Sequence, residues 1–183
     1  LHPRVFGRIR DQIKLLLPGF IQARMRQYQT RQLLRSKPPG WQITTLPPDR
    51  LELYDRDLRR LIGTIRAEGA TPVLATHGNM FMDRPKMDSL ALISWEKFYP
   101  RATGKVILAF DSTARLVTMR IGADSAVTTI DAAKRLAAAP VAAYGDFVHF
   151  TDLGSSNMAD VLTPGVLAAA EQRGWCTSPE THR

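Results

Sequence analysis

The sequence is poor in the residues that build covalent or metallic frameworks. A single cysteine, Cys176, near the C-terminus, excludes an internal disulfide and a metal site built on cysteine. The four histidines, His2, His77, His149 and His182, are too scattered to suggest a ligand cluster, so no metal and no cofactor is expected. No apolar run approaches the roughly 20 residues that a membrane-spanning helix needs. The opening, LHPRVFGRIR, lacks the apolar core and cleavage site of a signal peptide. It also lacks an initiator methionine; a fragment or a processed form is the expectation, and the compartment stays open. No internal repeat is visible.

What is present suits one globular domain with an ordinary core: 183 residues, 44% hydrophobic and 23% charged. The net charge of +8 is unevenly placed. Residues 1–37 hold seven Arg and two Lys against one acid, Asp11, so the rest of the chain sums to zero. Apolar residues Phe6, Ile9, Ile13, Leu16 and Leu17 make one face of a helix, which Pro18-Gly19 breaks. A second helix follows, with Phe20, Ile21, Met25, Tyr28 and Leu33 expected inward and Arg24, Arg26, Arg31 and Arg35 on the wet side. This basic hairpin, residues 1–40, reads either as a surface for an anionic membrane or as two ordinary helices with solvated arginines. The ordinary reading is favoured, and nucleic acid is not expected, because aromatics are not interleaved as stacking platforms.

Residues 41–175 read as an α/β domain and 176–183 as a tail. After Leu46-Pro47-Pro48, Asp49 is the expected N-cap of a helix running to Glu68, with Leu51, Tyr54, Leu58, Leu61, Ile62 and Ile65 inward and Gly69 as its stop. Thr71 to Thr76 then reads as a buried strand, and helix, glycine, strand is an α/β signature. The strand leads into Thr76-His77-Gly78-Asn79, where ligands of open α/β sheets sit. His77 and Asn79 are therefore candidate substrate contacts, although a loop histidine beside a cleft is the plainer account of His77. Leu90 to Phe98 reads as a short helix. Lys105 to Gly122 reads as another, with Val106, Phe110, Ala114, Val117 and Ile121 on one side and Gly122 ending it. Ala126 to Ile130 is a second short strand, and Asp131 caps an Ala-rich turn.

The stretch Tyr144 to Leu162, YGDFVHFTDLGSSNMADVL, carries the chemistry. Asp146 and His149 stand three residues apart, just ahead of a helix that opens near Gly154 and runs to about Glu171. A carboxylate beside an imidazole is what a serine-type hydrolase uses to activate its nucleophile. The plainer alternatives are an Asp146 side chain bonding its own backbone in a turn and a buried, satisfied His149. The placement between strand and capped helix favours the catalytic reading.

Several blocks agree in order with a known family. Pro47-Pro48-Asp49 leads into a helix with Tyr54, followed by Gly69-Ala70-Thr71-Pro72-Val73-Leu74-Ala75-Thr76. A helix near Phe110-Asp111 feeds Val127-Thr128-Thr129-Ile130-Asp131, and Asp146-Phe147-Val148-His149-Phe150-Thr151 comes last, with Gly154 and Met158-Ala159. Over about residues 45–170 the chain resembles the SGNH/GDSL hydrolases, and Asp146 to His149 looks like their DxxH block. The resemblance implies a three-layer α/β/α sandwich on a parallel sheet and the hydrolysis or transfer of acyl esters. It gives His149 the role of general base and Asp146 that of orienting its ring.

The sequence departs from the family in lacking the Gly-Asp-Ser nucleophile block, the Gly block and the Gly-x-Asn-Asp block. Gly145-Asp146-Phe147 and Phe110-Asp111-Ser112 are poor substitutes. The expectation is therefore the C-terminal part of a longer enzyme, with the serine in a missing N-terminal half and the basic hairpin as an insertion. An incomplete sheet of two short parallel strands leaves open edges, so the polypeptide alone is expected to be marginal or to pair with the absent half. The substrate would be an ester. A carbohydrate O-acyltransferase of the same family, and a non-catalytic basic module on an anionic membrane or nucleic acid, remain the alternatives.

Overall fold

The structure is a computed structural model that describes residues 18–81 and 89–175. The helix expected over residues 4–17 and the tail 176–183 lie outside the described residues. Two compact units form: Leu1–Thr44 with Lys86–Ile107, and Thr45–Pro85 with Leu108–Arg183. The described segment 89–107, expected within the α/β domain, thus belongs with residues 18–44.

In the first unit, α1 (Gly19–Arg35) packs on α3 (Ser89–Phe98). Arg26 donates to the Ser94 hydroxyl and Lys97 to the Gln29 amide oxygen. That contact face differs from the expected one. Thr30 is buried, whereas Phe20 and Tyr28 are 71% and 63% exposed and Met25 and Leu33 are exposed as well. The covered side runs through Ala23, Arg26, Thr30 and Leu34, with Ile21 half-buried, so it mixes polar and apolar residues and the apolar spacing of the helix does not mark it. Ile43 pairs with Ala102 in an isolated parallel bridge, and Trp41 lies under the cations of Lys37 and Arg101.

The second unit is mixed α/β. Its helix α2 (Pro48–Ala67) precedes β1 (Val73–Ala75), and α4 (Gly104–Asp124), whose first turn belongs to the other unit, precedes β2 (Thr128–Ile130). Among the described residues the sheet has these two strands, parallel and in register Val73 to Thr128, Leu74 to Thr129 and Ala75 to Ile130. Both are shorter than expected. Ile62, Leu74, Val117, Ile121 and Val127 form the core, with Tyr54 and Leu58 against it; each fully buried aliphatic side chain contributes about 2 kcal/mol. Leu61 was expected inward but is 52% exposed, because it sits about 100° round the helix from Ile62.

Two corrections concern helix ends. The N-cap of α2 is Pro47, with Pro48 in the first turn, and Asp49 makes no capping hydrogen bond. Its charge still favours the first turn through the helix dipole. At α4, Gly122 does not stop the helix; it lets the helix press onto β2. A Cβ there would lie 1.8 Å from Thr129 Oγ1. The stop is Ala126, at φ 47°, with Val127 N–H bonding Gly122 O and Ala126 N–H bonding Ala123 O. The same pair of bonds closes α2 around Gly69, at φ 75°, as the sequence suggested.

Side chains alternate across a strand, so Thr129 faces α4 while Thr128 and Ile130 face the other way. On that other side runs α6 (Asp152–Gln172), where Gly165 meets the side chains of Ile130 and Thr128. Between them, α5 (Ala132–Leu136) and a 3-10 turn (Val141–Ala143) bring the chain from the end of β2 to the start of α6.

Candidate active site

The carboxyl ends of both strands are locked by a polar hub. Asp131 caps α5 and receives two bonds from Arg115, 2.8 Å from Nε and 2.5 Å from Nη2. Thr76 donates to the same carboxylate at 3.0 Å and accepts from Ala133 N–H at 2.9 Å. The Arg115 guanidinium, with the Thr76 hydroxyl and the Lys134 amide, holds the Asp131 carboxyl below the usual range despite some burial. This fixes the last residue before His77.

After the 3-10 turn, Tyr144 pairs with Phe150 in an antiparallel bridge, and Gly145 N–H bonds His149 O at 2.8 Å. The two rings pack with centroids 5.3 Å apart. Across the turn, Asp146 Oδ1 accepts from the amides of Val148 and His149 at 2.9 and 2.8 Å. Its Oδ2 lies 2.7 Å from His149 Nδ1. The turn-forming and ring-orienting roles of Asp146 are thus both present, one on each oxygen. Burial disfavours the charged carboxylate, but the two amides and the ring outweigh it and hold Asp146 below the ordinary carboxylate range.

An ionised carboxylate only accepts, so in neutral His149 the Nδ1 carries the proton and Nε2 keeps its lone pair. The His149 side chain is 76% exposed, not buried, and no described residue bonds Nε2. Two residues further on, Thr151 caps α6, donating to Ala142 O at 2.8 Å and accepting from Gly154 N–H. Gly154 is obligatory there, since a Cβ would lie 1.9 Å from Ala143 O.

His77 and Asn79 meet a partner that the sequence reading did not assign. Asp111 lies inside α4; its Oδ1 is 2.7 Å from His77 Nδ1, and its Oδ2 accepts from Asn79 Nδ2 at 2.5 Å. Asn79 is buried and its Oδ1 accepts from Phe81 N–H at 2.8 Å. The hydrogen bond to Asp111 raises the His77 pKa above the ordinary imidazole value, against a smaller effect of burial. A signal for Asp111 existed: it lies three residues before buried Ala114 and seven before buried Thr118, on a covered helix face where an unpaired acid is costly.

The two loops touch. Met80 N–H donates to Phe147 O at 3.3 Å, and the Gly78 Cβ position is 3.8 Å from the Phe150 ring. All four expected site residues therefore belong to neighbouring loops of one unit. A separate cleft of about 220 Å³, lined by Arg66, Thr71, Thr128, Gln172 and Arg173 among others, opens at the amino ends of the strands and includes neither imidazole. Among the described residues, no group of three or more His, Cys, Asp or Glu is placed to hold a metal ion, and no helix is long and apolar enough to cross a membrane.

Comparison with known proteins gives this chain no relative. No family model matches it, and neither do the curated proteins or the solved structures.

Proposed function

We propose that this chain carries the acid–base part of a serine-type ester hydrolase of the SGNH/GDSL kind, with the nucleophilic hydroxyl supplied by polypeptide outside this sequence. The observation that carries the reading is the Asp146–His149 pair. Its carboxylate is fixed by two backbone amides, its Oδ2 holds Nδ1, and the ring stands in solvent ahead of a capped helix. That arrangement leaves Nε2 to take a proton from a serine, while Asp146 stabilises the imidazolium. Helices against opposite faces of a parallel sheet, with both histidine loops after its carboxyl ends or beyond, suit the three-layer sandwich expected of the family. Transfer of the acyl group to a carbohydrate hydroxyl would use the same side chains with a different acceptor.

The test is covalent labelling by a fluorophosphonate of the longest reading frame that contains this chain. The expected result is labelling of a serine that is lost in His149→Ala and retained in a surface control such as Lys134→Ala. Labelling indifferent to His149, or none at all in the parent protein, would sink the reading.

A further inference from the structure

The Asn79–Asp111–His77 chain has the construction of the first pair without being needed by it. In both, a carboxylate is anchored by donors other than the imidazole ring, and one oxygen is left to hold Nδ1. In both the ring is largely exposed, 55% for His77, and no described residue bonds its Nε2. Stability is a poor reason for such a device. A pair with one partner in solvent adds little to stability, yet here Asn79 is buried and 85% of the Asp111 side chain is covered to hold one exposed ring. Asn79 cannot turn its amide over, since Oδ1 serves Phe81 N–H and Nδ2 serves Asp111. The loop is thus built to hold an imidazole in one orientation beside the loop that carries His149.

We propose that His77 is a second catalytic proton carrier of the same site, acting on the alcohol oxygen of the ester while His149 acts on the serine. Asp111 and Asn79 are its positioning residues. This inference rests on the serine-hydrolase reading. In acylation, His149 Nε2 takes the serine proton as the serine oxygen bonds to the ester carbon. The bond from that carbon to the alcohol oxygen breaks, and the departing oxygen takes the proton of His77 Nε2–H. In deacylation, neutral His77 takes a proton from water or an acceptor hydroxyl as its oxygen attacks. The serine oxygen leaves and recovers its proton from His149. Each imidazole ends the cycle as it began. The upward shift of the His77 pKa favours the protonated start that this sequence of transfers needs. A dedicated acid matters most for poor leaving groups, so the substrate class is esters of unactivated alcohols, such as alkyl or sugar esters, rather than aryl esters.

The experiment uses the longest reading frame and compares an ethyl ester with the p-nitrophenyl ester of the same acid, reading kcat/KM, alongside fluorophosphonate labelling. For His77→Gln the expected result is retained labelling and a selective loss, with ethyl-ester kcat/KM falling on the order of 100-fold further than p-nitrophenyl kcat/KM, which reports acylation with a leaving group that needs no acid. Asp111→Asn is expected to show the same selectivity with a loss of about tenfold. Equal losses on both esters, or no loss on the ethyl ester, would overturn the role of His77. A parent protein that neither labels nor turns over either ester would instead overturn the serine-hydrolase reading on which it rests. Thermal melting of both variants separates these outcomes from unfolding, and Asp111→Asn keeps an acceptor for Asn79 should His77→Gln melt early.

Discussion

The two imidazole–carboxylate pairs are alike in contact and unlike in origin. Asp146 and His149 are three residues apart, and one turn brings them together. His77 and Asp111 are 34 apart, and they meet because α4 packs where β1 ends. The first pair needs only a local conformation, which Asp146 itself stabilises through two amides. The second needs the strand, the helix and the hub at Asp131 to be in place. A local pair therefore survives loosening of the fold that would separate a long-range one.

The largest effect that sharpens this contrast is expected from Asp146→Asn in the longest reading frame. The Asn oxygen still serves the turn amides, so melting changes little. The amide presents a donor where Nδ1–H needs an acceptor, which favours the wrong tautomer, and ester turnover falls by about 10⁴. A loss under tenfold would break the claim that Asp146 orients the ring.

Next come two glycines, one beside each loop. Gly154→Ala forces a methyl into the backbone oxygen of Ala143 and is expected to cost about 3 kcal/mol in denaturant unfolding. Gly78→Ala meets the Cδ1 end of Leu136 at 2.9 Å, a flexible tip, and is expected to cost about 1 kcal/mol. Equal costs would show that the two loops are held by the same kind of contact. Ala126→Gly touches neither pair and removes the left-handed alanine at the end of α4; it is expected to gain about 1 kcal/mol.

The smallest effect is the pH dependence, and its sign differs between the pairs. The His77 pKa is raised in the fold, so its pair contributes fully below the ordinary imidazole value of about 6.5 and is lost as pH rises through the raised value. The Asp146 pKa is lowered, so its pair contributes above the ordinary aspartate value of about 3.9 and is lost as pH falls through the lowered value. Proton NMR of the imidazole Hε1 signals is expected to show the His77 titration moving down in Asp111→Asn. An unmoved titration would argue against the contact.

Much of the second unit was legible because its signals are local. The stripe of α2, its stop at Gly69 and the two strands follow from spacing and turn chemistry over a few residues, whereas α6 opens at Asp152 behind its Thr151 cap, two residues before the expected Gly154. Gly122 misled because glycine suits both a helix stop and a close approach; only the presence of Thr129 across the gap distinguishes them. Phe110-Asp111-Ser112 is a poor nucleophile block in the sequence, and the role of Asp111 stays hidden there because its partner His77 lies on another element.

The amino-acid order by itself determined the Asp146–His149 pair, since a carboxylate three residues before an imidazole can close on it through its own turn. The fold decided the rest of the candidate site. It chose Asp111 for His77, buried Asn79 beneath them, and set the loop after β1 against the loop before α6. It also placed residues 89–107 with residues 18–44 and left the aromatic residues of α1 exposed. Those outcomes depend on which surfaces meet at long range, and periodicity along one element carries no record of its partner.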